Sequence, residues 1–579
     1  MSTRLYISLL LGCTLNLSIV QAYVDGGALP VISSFNNGGG YQCLRQALGQ
    51  ANEKMILPED GNAYDVASQA VGSKWKKFPF AIVYPSNTSE ISKVAACGFK
   101  HGIPMTVAAG RHSFQGASIQ SGYLVIDISK SCEPPLVDPE KLTLTMSGGC
   151  LHADVIGALY AHPIPGAMAL IGAMPLVGYG GWSTGGGYGN LAPYVGIGCD
   201  QFEEIEMILY NGSVVRANRD HDLMWASCGG GTGFGILSKM TLKLTISPDP
   251  SHFTRMMISY PVKTLPHVLF RLQNALMSEK LVKFGAHGPS MTPDLDQDSM
   301  VQFFFLYLGP WREAVSTMKH HGLLDKDLYP WPAKRLFGAP PQVLIVNHSP
   351  RFSWGALPSH ANIIVTEYSS YPYAMAPMLQ IDDSAMNNSR ICQEIECAGT
   401  LASPMSKKAH DILLRMTTNR SSLLYNEQES TRLHDSSNLY RHFQQPGHVI
   451  NWIPLEAWEE IVNIPKAFSG YNCGWTIPHL AGGKTNAVPS HHTAYPWRNA
   501  SFILVITGEH QQFCWEQVSK IIGPYQPIQG YYNYLGHQIT RDFQSLYFGE
   551  NALRIAKLRR LYDPLNMFGK PLTVDPMVL

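Results

Sequence analysis

The chain has no surplus of charge: 43 Lys and Arg offset 43 Asp and Glu in 579 residues. That balance argues against a function resting on bulk attraction to nucleic acid or to an anionic membrane surface. No GxGxxG opens a helix with an acidic residue at the right later distance, and no GxxxxGK(S/T) occurs, which sets aside the Rossmann and P-loop nucleotide sites. No CxxC or Cys/His grouping points to zinc, so no metal is expected. Past the first residues no long uncharged run suggests a membrane anchor. The final residues, Pro576 to Leu579, are not an endoplasmic-reticulum retention signal.

The first residues instead resemble a secretory signal over 1–22. Arg4 supplies the positive end, Leu9 to Val20 an apolar stretch broken by Thr14 and Asn16, and Val20-Gln21-Ala22 a small-residue cleavage site. Removing it takes Cys13 from the total of 11 and leaves ten cysteines, some of which should pair in an exported protein. Cys392 and Cys397 are close enough for a small loop. Sequons at Asn87, Asn211, Asn347, Asn387, Asn419 and Asn499 fit a secreted glycoprotein. The length allows two or more lobes.

The segment Ile103 to Gly116 organises the rest. Met105 to Ala109 reads as a buried strand, and Gly110 and Gly116 bracket a polar loop centred on His112. Before it, Ala81 to Tyr84 reads as a strand and Asn87-Thr88-Ser89-Glu90 has capping-box spacing. Ile91, Val94, Ala95 and Gly98 then recur on one helical face. Strand, capped helix, strand and glycine-flanked loop make a plausible cofactor cradle. Two glycine clusters follow, Ile171 to Gly189 and Gly229 to Ile236. Their interleaved aromatic and apolar residues argue for ordered backbone beside a ligand. Glu206 to Tyr210, Asn211-Gly212 and Val214 to Ala217 read as a hairpin. Further strands are expected at Tyr123 to Ile128, Leu142 to Met146, Met300 to Leu306, Ile363 to Val365 and Phe502 to Ile506. Helices are expected near Cys43 to Ala51, at Ala153 to Ala161, Leu265 to Met277 and Lys408 to Met416.

Pro85, the Ala95-Ala96-Cys97 helix and Ala109-Gly110-Arg111-His112-Ser113 resemble the FAD-binding domain of berberine-bridge-enzyme-like oxidases, of the vanillyl-alcohol-oxidase, PCMH type. The resemblance runs from about Phe78 to Leu244. It returns in Tyr531-Tyr532-Asn533-Tyr534, in Tyr547-Phe548-Gly549 and in Tyr562 to Phe568. It implies an α+β fold: a two-lobed FAD-binding domain over 77–248 after a lead-in at 23–76, then a substrate domain over 249–529 with an antiparallel sheet covered by helices. A C-terminal segment, 530–579, returns to the flavin.

The resemblance also implies FAD, attached covalently through His112. Ala109, Gly110, Arg111, Ser113, Gly172, Val177, Gly178, Gly181, Ser183, Gly186, Tyr188, Gly235, Ile236 and Asn533 would contact it. Many relatives add a second link through a cysteine, but this chain has Met174 there, and a thioether offers no thiolate. A single link is therefore expected, with Cys150 and Cys199 left as distant substitutes. Arg111 would hold the loop or stabilise the reduced flavin, or else be a structural ion pair. Relatives usually carry asparagine at Gly233 and arginine near Cys228, which leaves local cofactor contacts open. Cys43 and Cys97 match a family disulfide.

Tyr534, the last residue of the YxNY pattern, would be the base for an alcohol substrate, and Tyr531 would assist or orient. Valine at the position of Val177 accompanies oxidase behaviour in plant relatives, so O2 is the expected electron acceptor and H2O2 the product. The substrate would be a small molecule or oligosaccharide: a carbohydrate, another alcohol or, less readily, an amine. The alternatives are a flavin dehydrogenase using another acceptor, or a catalytically silent secreted flavoprotein.

Overall fold

A computed structural model describes residues 39–70, 77–113, 116–278, 282–328, 343–346, 363–375, 447–534 and 543–569. The signal, the Cys392/Cys397 loop, the Lys408 to Met416 helix and the sequons at Asn347, Asn387 and Asn419 lie outside the described residues.

The first unit is built on parallel strands. Ala81–Val83 and Met105–Ala108 both pair in parallel with Leu124–Asp127, and Met55–Ile56 joins the edge antiparallel. Parallel pairing needs a crossover, and the helix Thr88–Lys100 supplies it. Its start follows the spacing: Asn87 Oδ1 accepts the Glu90 amide at 3.0 Å. Glu90 does not close the box onto Asn87. Its carboxylate accepts from Ser86 N at 2.9 Å and pairs with Lys54. The buried face is Ile91, Val94, Ala95, Cys97 and Gly98. A Cβ at Gly98 would stand 2.6 Å from Met105 Sδ, so the glycine lets helix and strand close.

The second unit is a five-stranded antiparallel sheet in the order Leu136–Asp138, Thr143–Ser147, Ile236–Lys243, Phe202–Ile208, Val214–Asn218. The last two strands are the expected hairpin, with Asn211 and Gly212 at its turn and Gly212 at φ +83°.

The later half supplies two five-stranded sheets where one was expected. One runs Phe284–His287, Met300–Leu308, Phe253–Pro261, Ile363–Tyr368, Val343–Val346, with only the last pair parallel. The other runs Ser290–Met291, Gly474–Leu480, Phe502–Thr507, Gly447–Ile450, Gly530–Tyr531. Helices Leu265–Met277, Leu455–Ala467 and Gln511–Ile522 cover this half, and their apolar faces share one core with both sheets. Cys473–Cys514 ties the last helix to the second sheet.

The C-terminal segment therefore starts inside the second of these sheets, where Tyr531 pairs with Gly447. It ends on the first unit: Met567 O accepts from Met105 N at 2.7 Å, and Gly569 O accepts from Tyr123 Oη at 3.1 Å. Both lobes are stitched by this one stretch. Among the described residues no helix is long and apolar enough to cross a membrane.

Candidate active site

A cavity of about 770 Å3 lies where the units meet. The strand end and loop Ala109 to Ser113 form one wall. The glycine clusters around Gly172 to Trp182 and Gly231 to Gly235 form another. The two sheets of the later half and Tyr531 to Tyr534 close it.

The glycine loops meet backbone to backbone. A Cβ on Gly110 would fall 2.2 Å from Leu176 O and 2.4 Å from Gly178 N, and one on Gly178 would meet Gly110 N at 2.8 Å. No side chain fits between these strands of backbone. A Cβ on Gly181, by contrast, would have no atom within 4 Å, and Gly181 lines the cavity. Open space over a glycine in a cavity of this volume fits a large planar cofactor.

Arg111 takes φ +56°, an unusual conformation for a side-chain-bearing residue. Its guanidinium donates to Asp127 Oδ2 through Nε at 2.8 Å and through a second nitrogen, to Ala67 O at 2.5 Å and to Tyr84 Oη at 3.0 Å. The ion pair with Asp127 anchors the loop at Arg111. The next residue, His112, lines the cavity, and burial lowers its pKa to about 4. A neutral imidazole has a lone pair free to form a bond, as covalent attachment requires.

Val177 and Met174 line the same cavity. Cys150 and Cys199 are not free to substitute for the missing cysteine, because they form disulfides with Cys132 and Cys228. Cys43 and Cys97 are bonded to each other.

Ser183, Gly186, Tyr188 and Ile236 lie outside the lining of the cavity. Ser183 is buried and its hydroxyl donates back to Tyr179 O at 2.7 Å within its own short helix. Gly186, at φ +112°, packs against Tyr495 and Tyr531, and Ile236 sits in the core of the first unit. Tyr188 is fully buried, and it acts through its backbone. Tyr188 N and Gly187 N donate to Tyr531 Oη at 3.0 and 3.1 Å, and Asn533 Nδ2 donates at 2.8 Å. Three donors thus converge on one phenolic oxygen. Burial raises the Tyr531 pKa to about 12, and the three hydrogen bonds act against that rise. Asn533 also donates to Trp182 O at 2.8 Å, which holds the YxNY turn against the glycine cluster.

Tyr534 faces the cavity with its hydroxyl 3.0 Å from His479 Nε2. His479 is 5% exposed, and burial lowers its pKa to about 3, so its ring is neutral near pH 7. Nothing in the sequence singled out His479. Nor did it single out His152, whose Nδ1 lies 3.1 Å from Met174 O and whose ring packs edge-on against Trp182. Both line the cavity. His491 and His492 are exposed, as solvated loop residues should be.

The departure at Gly233 has a partner 326 residues on. Gly233 stands at φ +104°, and a Cβ there would fall 2.2 Å from an Arg559 nitrogen. Arg559 is buried, donates to Thr232 O and lies over Phe234. It braces from outside the loop that lines the cavity at Gly231 to Gly235.

Two family models match the chain: FAD binding domain over residues 79–218, and berberine and berberine like over 530–575. An FAD-linked oxidoreductase of Aspergillus terreus is 32% identical over 238 residues, covering 40% of this chain and 47% of the relative. A chitooligosaccharide oxidase of Gibberella zeae is 27% identical over 241 residues, covering 40% and 46%. The chain thus spans about half the length of these curated relatives. A solved xylooligosaccharide oxidase from Myceliophthora thermophila superposes with TM-score 0.68 over 93% of this chain and 99% of that one, at 17% identity. A berberine-bridge-enzyme-like protein of Physcomitrella patens gives 0.66 over 92% and 100%, also at 17%. The chain thus carries an FAD binding domain and, after it, a segment of the berberine and berberine like family, and it shares its overall fold with these two solved proteins.

Proposed function

We propose that the protein is a secreted, glycosylated oxidase that removes hydrogen from an alcohol carbon of a carbohydrate, using FAD bound in the cavity through His112. The observation that carries this reading is the placing of Tyr534, hydrogen-bonded to a neutral histidine, on the same cavity as the His112 loop. FAD supplies the two-electron acceptor. Two relatives whose names state a sugar substrate, a chitooligosaccharide oxidase and a xylooligosaccharide oxidase, favour a carbohydrate.

The residues divide the work. Ala109, Gly110, Gly172, Gly178, Gly181 and Gly235 offer backbone at the cavity surface and would bed the cofactor. With Nδ1 carrying its proton, His479 accepts from the Tyr534 hydroxyl and orients it. As the substrate hydroxyl gives its proton to the Tyr534 oxygen, the phenolic proton passes to His479 Nε2, while the substrate carbon gives up hydride. Tyr531, held by three donors, has no acceptor for its own O–H among the described residues, and it would orient the substrate hydroxyl or the cofactor edge. The described sequon residues Asn87, Asn211 and Asn499 are exposed, which suits glycosylation.

Electrons would pass to O2 beside Val177, giving H2O2. Peroxide release measured on a panel of sugars and simple alcohols tests the reading. Substrate bleaching of the flavin with no peroxide would make it a dehydrogenase. No bleaching by any donor would leave the silent flavoprotein.

A further inference from the structure

The cavity holds two guanidinium groups, and they are not alike. Arg111 is fully engaged with Asp127, Ala67 and Tyr84. Arg255 also lines the cavity, from the strand Phe253–Pro261 of the substrate lobe, and it is part-buried. Its one hydrogen bond among the described residues is a marginal 3.5 Å contact to Tyr368 Oη, and no carboxylate of the described residues pairs with it. Its neighbour on the strand Met300–Leu308 is Leu306, which carries no charge. No Asp or Glu is among the described lining residues. A half-buried cation without a counter-ion is costly unless something arrives to pair with it. A guanidinium presents a planar fork that matches a carboxylate in two parallel hydrogen bonds. Beyond Arg255 the substrate-lobe wall offers neutral hydroxyl and amide groups, Ser290, Thr292, Gln302 and Thr476, suited to sugar hydroxyls.

We propose that the substrate is an acidic carbohydrate, a uronic-acid sugar whose carboxylate binds Arg255. This rests on the cavity being the sugar site. Digalacturonate and the neutral digalactose test it on the flavin-loaded protein, by flavin bleaching and by the shift in thermal unfolding on ligand addition. The wild type should favour the acidic disaccharide, and Arg255→Gln should cut that preference in kcat/KM about 10- to 100-fold, the range for one charge-assisted pair. Arg255→Lys, which keeps charge but loses the fork, should fall between. The acidic preference should weaken with salt. Equal use of both sugars, with the ratio unmoved in Arg255→Gln, would overturn the proposal and leave the oxidase reading intact. Loss of bound flavin in Arg255→Gln and Arg255→Lys, with no change in preference, would also overturn it by assigning the guanidinium to the cofactor. A thermal shift by digalacturonate that Arg255→Gln abolishes, without bleaching by any sugar, would support the binding and sink the oxidase reading.

Discussion

The hydroxyl of Tyr534 and Nε2 of His479 lie 3.0 Å apart, and their rings stack at 23°. That pair joins the C-terminal YxNY turn to the strand Gly474–Leu480, 55 residues earlier. A phenol near its reference pKa of about 10 is a weak base at neutral pH, and a neutral imidazole next to it gives the displaced proton somewhere to go. Tyr534→Phe keeps the ring and removes that path. Substrate should reduce the flavin about 10²–10⁴-fold more slowly under anaerobic conditions, with the bound-flavin spectrum unchanged. An unchanged rate would move the role to Tyr531. His479→Gln should displace the acid limb of the pH–rate profile, which a purely packing role for the histidine would not do.

His112→Ala should release flavin from denatured protein, whereas the wild type keeps its yellow colour after denaturation and filtration. The grounds are a cavity-facing neutral imidazole and, on the same cavity, Met174, a thioether with no thiolate to form a second link. Covalent flavin retained in His112→Ala would refute the single link.

Asp200 and Arg498 form a bidentate pair, both bonds 2.9 Å, with side chains 10% and 3% exposed. Arg498 lies over the Tyr495 ring, and Tyr495 Oη donates to Tyr188 Oη at 3.3 Å, beside the amide that holds Tyr531. Asp200→Asn strands a buried cation at the base of this aromatic stack. Unfolding stability should drop by about 3–5 kcal/mol, measured by denaturant titration. A change under about 1 kcal/mol would show that Arg498 finds another acceptor.

What could be read in the chain was local. Asn87 capping, the Asn211-Gly212 turn and the apolar face from Ile91 to Gly98 are each decided within a few residues, and the periodicity shows them. The site depends on pairs far apart in sequence. His479 sits past a register shift between Thr476 and His479, so strand alternation says nothing about where it points. Gly233 looks like a lost contact until Arg559 is seen filling its place. Ser183, Gly186 and Tyr188 carry a family pattern that marks the cluster, yet the pattern does not separate backbone facing the cavity from backbone facing Tyr531. The two sheets of the later half could not be separated, because strand runs carry no statement of which strand pairs with which.

Stability should fall steeply on acidification, and His448 allows the cause to be isolated. It is fully buried, stacked on Trp515 at 5.0 Å, outside the cavity, and burial lowers its pKa to about 3. In the unfolded chain a histidine titrates near about 6.5. Because the folded value is depressed, the unfolded state takes up the proton first. Stability is fully present above about pH 6.5 and is lost as pH falls towards 3, at about 1.4 kcal/mol per pH unit for each such group. His112, His152 and His479 share the direction, but bound cofactor or substrate changes their surroundings. His448 keeps its own. Replacing it by phenylalanine retains the stack on Trp515 and removes one titrating site. Denaturant unfolding between pH 5 and 6.5 should show the slope of stability against pH reduced by about one proton's worth, about 1.4 kcal/mol per unit. The same slope in both proteins would mean that His448 is protonated in the folded state as readily as in the unfolded one, contrary to its burial.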